Sequence, residues 1–220
     1  MYLISAATRV ENFSDFGSVA TGKLATRIKL GKYVNWRASI SSGFRAPSLQ
    51  QIYFNNTITS FSFGKLVQNR IASNVDPITR AAGIPRLKEE NALNFGTGFT
   101  AKIAKGLKLT IDGYLVKLSD RVVLSGLFSA DDITLDQALT QQLKNIDVAS
   151  AQFFANAVNT TNLGLDLVVD YSHKWKENTL KVSLTGNLNK VNINEVNVPA
   201  LLDDSYITEN HSSVIGKHNF

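Results

Sequence analysis

Three histidines are the side chains best suited to proton transfer or metal ligation near neutral pH: His173, His211 and His218. His211 and His218 stand near Asp203, Asp204 and Glu209, a mixture of imidazole and carboxylate that a divalent cation accepts. Their spacing matches no metal signature, and cysteine is absent, so no thiolate can complete a site. His173 sits beside Lys174 and Trp175, the setting of an interfacial residue rather than a ligand. No nucleophile elbow, phosphate-binding glycine loop or paired-acid motif occurs. The sequence therefore assigns no catalytic residue, no metal ligand and no cofactor, and an enzyme is not expected.

A second chemistry is carried by cations and rings together. Arg45, Lys65, Arg70, Arg80, Arg86 and Lys88 fall in one long stretch with only Asp76 opposing them. Tyr53, Phe54, Phe61 and Phe63 lie in the same stretch. Such a surface attracts an anionic chelate, or stacks on a sugar or aromatic ligand. Arg45, Tyr53, Arg70 and Arg86 are the ligand-binding candidates, against the plainer reading of a solvated loop. Two further stretches are acidic: Asp131, Asp132, Asp136 and Asp147 against Lys144, then Glu195, Asp203, Asp204 and Glu209. The net charge is +5 and the pI about 9.4, but the basic residues form no single dense run. Nucleic acid is therefore not an expected partner.

The elements that must hold these groups follow a two-residue rhythm. Leu163, Leu165, Leu167, Val169 and Tyr171 alternate with Asn162, Gly164, Asp166, Asp170 and Ser172. Leu180, Val182, Leu184 and Leu188 alternate with Lys181, Ser183, Thr185, Asn187 and Asn189. Side chains alternate across a strand, so each segment is half oily and half polar. The same rhythm marks 2–11, 21–30, 33–44, 92–101 and 107–118, the last losing clean alternation near Val116. The expectation is all-β, with about six to seven antiparallel strands. Leu135, Leu139, Leu143 and Ile146 depart from it at helical spacing, and Thr134 with Gln137 fits a capping box, so a short helix is expected within one long loop.

Mean hydropathy is −0.04, and no stretch approaches about eighteen consecutive apolar residues, so no transmembrane helix is expected. A tilted strand of about ten residues also crosses a bilayer, and it hides from a hydropathy average. The same stripe would equally face the core of a soluble sheet. The connections favour the membrane: those at Gly31-Lys32, 104–106 and 176–178 are tight, while 45–90, 125–157 and 191–210 are long. Up-and-down membrane barrels alternate short turns with long outer loops in this way. Trp36 and Trp175 extend oily stripes beside tight turns, with Tyr33 near the first, as an aromatic girdle at a membrane boundary would.

Gly43-Phe44-Arg45-Ala46-Pro47-Ser48-Leu49 resembles the strand exit of TonB-dependent outer-membrane receptors. Leu87-Lys88-Glu89-Glu90-Asn91-Ala92-Leu93-Asn94-Phe95-Gly96 is similar to the segment by which that family's chain enters its barrel strand, which normally carries proline before the glutamate where Lys88-Glu89 stands here. Asp112-Gly113-Tyr114 through Ser125, and Phe153-Phe154-Ala155-Asn156-Ala157 through Asp166, follow in the family's order. The resemblance covers roughly 20–190. It implies a segment of an antiparallel up-and-down transmembrane β-barrel in the outer membrane of a Gram-negative bacterium. Such barrels have about 22 strands around a plugged lumen.

On this reading the chain, 1–220, supplies wall strands and outer loops for TonB-driven uptake of a large solute, with a ferric siderophore the leading candidate. A glycan or cobalamin stays open. The implied partners are the TonB complex, reached through a plug region, outer-membrane lipid and lipopolysaccharide. No signal peptide, TonB box or plug is legible, so a piece of a longer chain is expected, one that does not fold stably by itself because a partial barrel has open edges. Two rivals remain: a passive porin or adhesin barrel, and a soluble antiparallel sheet protein that binds a partner.

Overall fold

The computed structural model of the chain describes residues 1–14, 17–62, 65–131, 137–145 and 148–196. The Thr134 cap of the expected helix, and Asp203, Asp204, Glu209, His211 and His218, lie outside them. In chain order the elements are β1 (Tyr2–Phe13), β2 (Gly17–Leu30), β3 (Val34–Arg45), α1 (Leu49–Tyr53), β4 (Asn56–Ser62), β5 (Lys65–Ala72) and α2 (Pro77–Ala81). They continue with β6 (Glu90–Ala104), β7 (Leu107–Leu124), β8 (Phe128–Ser129), α3 (Gln137–Asn145), β9 (Ser150–Trp175) and β10 (Asn178–Val196). The seven long strands are those the rhythm predicts, and three short ones are additions within the long connections. The chain divides into two compact units.

The first unit comprises Met1–Phe44, Asn91–Leu118 and Thr160–Ile193. Its strands run in the order β1-β2-β3-β6-β7-β9, with β10 on β9. β1 pairs antiparallel with β2, setting Ala6 opposite Leu24, and β2 with β3, setting Leu24 opposite Ile40. That register keeps every oily stripe on one face, because a slip of one residue would reverse a whole strand. On this face Leu24, Ile40, Phe95, Leu165 and Leu184 are 52%, 46%, 48%, 45% and 68% exposed, so no protein layer among the described residues covers it. A sheet in water must bury an oily face against a second layer.

The second unit comprises Arg45–Glu90, Ser119–Asn159 and Asn194–Phe220. Here β4 pairs antiparallel with β5, β5 pairs parallel with β9, and β8 pairs with β9. The buried core of the described residues lies in this unit: Ile78, Ile84, Phe128, Leu143, Phe153 and Val158 with several alanines. β9 begins thirteen residues earlier than the Leu163 stripe suggests, at Ser150. Its first half alternates too, with Ala151, Phe153, Ala155 and Ala157 buried and Gln152, Phe154 and Asn156 half-buried, but its polar groups are spent on neighbouring backbone: Gln152 donates to Ser125 O, and Asn156 to Lys88 O and Asp120 O. The α1 start is a capping box: Gln51 N donates to Ser48 Oγ (3.2 Å) and Ser48 N to Gln51 Oε1 (2.9 Å). Asp76 caps α2, with Pro77 at its first turn. The expected helix in the second long connection is α3, and its Leu143 is fully buried.

Candidate functional site

The polar face of the first unit is built from alternate residues of β3, β6, β7, β9 and β10. Arg37 of β3 reaches across β6 to β7. Its Nε donates to Asp112 Oδ1 (2.9 Å), its Nη2 to Asp112 Oδ2, and its Nη1 to Thr100 Oγ1 (3.3 Å). The crossing needs the strand between to be bare: a Cβ on Gly98 would collide with the Asp112 carboxylate and lie 2.6 Å from Ile111 O. The Tyr114 ring lies over Gly164 in the same way, where a Cβ would strike it. Asn187 donates to Asp166 Oδ1, and Ser183 Oγ to Asp170 Oδ1 (2.7 Å). A cavity of about 460 Å³ opens among Lys23, Arg37, Asp112, Tyr114 and Asp166. The arrangement offers donors, acceptors and one ring. It contains no nucleophile–base pair, and no cluster able to hold a metal occurs among the described residues.

Tyr33, Trp36 and Trp175, the residues expected to form a girdle, lie in this unit too. Trp36 is half-buried and its Nε1 donates to Thr97 Oγ1 (3.0 Å). Trp175 stacks on His173 with centroids 5.7 Å apart, and His173 on Tyr171 at 6.4 Å. Tyr33 lies beneath Lys32 Nζ, 5.5 Å from the ring centroid.

All four ligand candidates lie in the second unit, and no hydrogen bond joins any of them to another among the described residues. Arg45 is bidentate to Glu90, Nε to Oε2 at 3.0 Å and Nη2 to Oε1 at 2.6 Å. Glu90 also accepts from Val122 N (2.8 Å). Arg70 donates to Asn55 Oδ1 (3.2 Å) and Asp76 Oδ2 (2.5 Å). Tyr53 ends α1 and is 60% exposed. Arg86 is exposed and carries no ion pair among the described residues. Its charge and, more strongly, burial lower the pKa of Arg80 below the usual guanidinium value. Arg80 is committed to the loop itself, donating to the carbonyls of Ile84 and Asn74. Much of the basic charge counted in the sequence is thus tied up within the unit, leaving Arg86 and the Tyr53 ring presented outward.

The buried organisers of this unit are polar. Asn74 is 2% exposed; its Nδ2 donates to Pro85 O (3.1 Å) and its Oδ1 accepts from Leu87 N (3.0 Å). Asp120 takes a positive φ of 58° where the β7 rhythm fails, and is held by Asn156 donating to its carbonyl (2.7 Å) and by its own N–H donating to Asn159 Oδ1 (2.9 Å). Neither Asn74 nor Glu90 was a sequence candidate. The signal for Glu90 is its place at the start of a strand. Glu90→Ala is expected to cost this unit about 2 kcal/mol, since Val122 N–H loses its acceptor while the exposed side of the Arg45 pair contributes little. Faster proteolysis within 45–90 at unchanged strand content checks this.

A family model described as TonB dependent receptor-like, beta-barrel matches residues 2–213. The chain belongs to this family. Among curated protein sequences none matches it. Solved structures share its fold. The siderophore receptor PirA from Pseudomonas aeruginosa matches with a TM-score of 0.55 and 16% identity, over 87% of this chain and 32% of that one. The RagAB peptide transporter matches with a TM-score of 0.57 and 13% identity, over 89% of this chain and 21% of that one. PirA from Acinetobacter baumannii gives 0.52 and 13%, over 77% and 23%. The chain therefore spans between a fifth and a third of these structures, as a partial TonB-dependent receptor barrel. The family consists of transport receptors rather than enzymes.

Proposed function

We propose that this barrel segment supplies wall strands and outer loops to an outer-membrane receptor that imports a large solute by TonB-driven transport. The oily face left open on the first unit carries this reading, because hydrocarbon chains are the solvent that such a face matches. The polar face of Arg37, Asp112, Tyr114 and Asp166 then lines the lumen. Coupling runs through a plug that engages the TonB complex, and lipopolysaccharide and lipid surround the barrel. The solute proposed is a ferric siderophore. Arg86 and Tyr53 support it by offering a cation and a ring to an anionic chelate, with Arg45 and Arg70 shaping the loops behind them. PirA, a siderophore receptor by name, supports it at the level of shared fold.

Two measurements on the full-length receptor test the reading. A fluorophore at Leu167 is expected to be quenched by lipid-attached quenchers, and its protection from them would point to a soluble sheet. Iron-starved cells lacking the receptor are expected to lose growth on at least one ferric siderophore of a panel. Arg86→Ala with Tyr53→Ala is expected to weaken uptake of that compound about tenfold, by loss of roughly 1–1.5 kcal/mol of binding. Unchanged growth on every siderophore, with lost uptake of peptides or glycans instead, would discard the iron assignment.

A further inference from the structure

We propose that the end of the wall bearing the tight turns binds the phosphate headgroups of anionic glycerophospholipids in the adjoining, periplasmic leaflet; this rests on the membrane reading of the oily face. A short motif recurs at each turn. Lys29 and Lys32 stand at the first, Lys102 and Lys105 at the second, and Lys174 and Lys176 at the third, each pair with at least one apolar residue between. The fold sets the three turns side by side. Lys102 N donates to Tyr33 O (2.9 Å), tying the second to the first, and Ser172 N to Gly106 O (2.8 Å), tying the third to the second. Six lysines scattered over about 150 positions of sequence thus share one rim.

All six are exposed, and none has an ion-pair partner among the described residues. The nearby Lys108 is paired with Asp170 at 3.8 Å, and Glu177 is the one acid at the turns. Arg9 and Arg37 of the same unit have carboxylates, Glu11 and Asp112, whereas Lys23, Arg27, Lys181 and Lys190 also lack an ion pair among the described residues, so what sets the rim apart is the gathering of six such cations. An unpaired set of like charges held together repels itself and invites an anionic partner. Lys32, Lys105 and Lys176 sit on the turns. Lys29, Lys102 and Lys174 rise from the polar face close behind, where flexible stems can carry their ammonium groups to the rim.

The aromatic residues choose between anionic partners. Tyr171, His173 and Trp175 form a continuous stack on the oily face at this end, with interplanar angles of 8° and 26°. Amphipathic rings on a lipid-facing surface mark headgroup depth. Lysines at the same level then meet lipid phosphates. An acidic protein would satisfy the lysines but leave the stack on the lipid face without a role. Each basic side chain near an anionic surface favours association roughly fivefold.

The full-length receptor, purified in detergent and offered phosphatidylglycerol and phosphatidylcholine of matched chains, is expected by native mass spectrometry to retain the anionic lipid about tenfold more. The combined variant Lys32→Gln, Lys105→Gln, Lys176→Gln is expected to bring retention close to parity, whereas Lys117→Gln with Lys190→Gln leaves the preference intact. These are surface positions, and heat-modifiable gel migration verifies folding. Equal retention by the parent, an unchanged preference in the triple variant, or an equal loss in the control overturns the proposal. Stronger binding of polyglutamate than of phosphatidylglycerol micelles at equal charge does so too, and assigns the rim to an acidic protein. Quenching at Leu167 without lipid preference sinks this inference alone. Absent quenching sinks the membrane reading beneath it.

Discussion

Phe153→Ala is expected to cost the second unit about 3–5 kcal/mol, the range for truncating a fully buried ring. Phe153 is wholly buried, packed 5.6 Å from the Phe128 ring, on the stretch of β9 that pairs with both β5 and β8. Its backbone closes the same layer: Phe153 N donates to Ser125 Oγ (2.9 Å) and Ser125 N to Phe153 O (2.8 Å). Losing the ring leaves a cavity beside Ala72, its partner on β5. Hydrogen exchange in the full-length receptor is the measurement. Amides of 125–158 are expected to open at least a hundredfold faster, since a few kcal/mol is several factors of ten in an opening equilibrium, while those of β2 and β3 stay protected. Unchanged protection would mean that the small core does not hold this unit together. Loss of protection in β2 and β3 would mean that its cost is not local.

Gly106→Val is expected to be the most damaging single change in the wall, at about 3 kcal/mol or more. Gly106 has φ +77°, and a Cβ there would collide with Ser172 O. Two further glycines separate those causes. Gly31 has φ +72° with nothing within 4 Å, so Gly31→Val carries the conformational penalty alone, about 1–2 kcal/mol. Gly186 has neither a positive φ nor a neighbour within 4 Å, and Gly186→Val is expected to be near neutral or stabilising in a strand. The order of thermal midpoints read from heat-modifiable migration is then Gly186→Val highest and Gly106→Val lowest. Equal effects at Gly31 and Gly106 would show that Ser172 yields at no cost.

The sequence by itself determined the wall. Seven long strands and their oily faces are legible because alternation is a local property, fixed by the opposite directions of neighbouring side chains. The tight turns are legible for the same reason: Gly31 and Gly106 stand where the backbone turns left-handed. Two signals in the first long connection were local yet easily passed over, the Ser48–Gln51 capping box and the Asp76-Pro77 helix start.

The tertiary structure decided the rest, since pairing across long sequence separations leaves no local trace. The β4–β5 hairpin and the early start of β9 depend on pairing between distant segments, such as Asn69 with Ser150 and Ala72 with Phe153, which no local pattern records. Counting arginines in 45–88 suggests a freely basic loop; only the fold reveals that Arg45, Arg70 and Arg80 spend their donors on Glu90, Asp76 and nearby carbonyls. Gly98 and Gly164 acquire meaning only when Asp112 and Tyr114 are seen lying across them. Likewise, pairs of lysines at three distant turns become one rim only when adjacent strands bring the turns together, because strand neighbours are set by backbone pairing and not by distance along the chain.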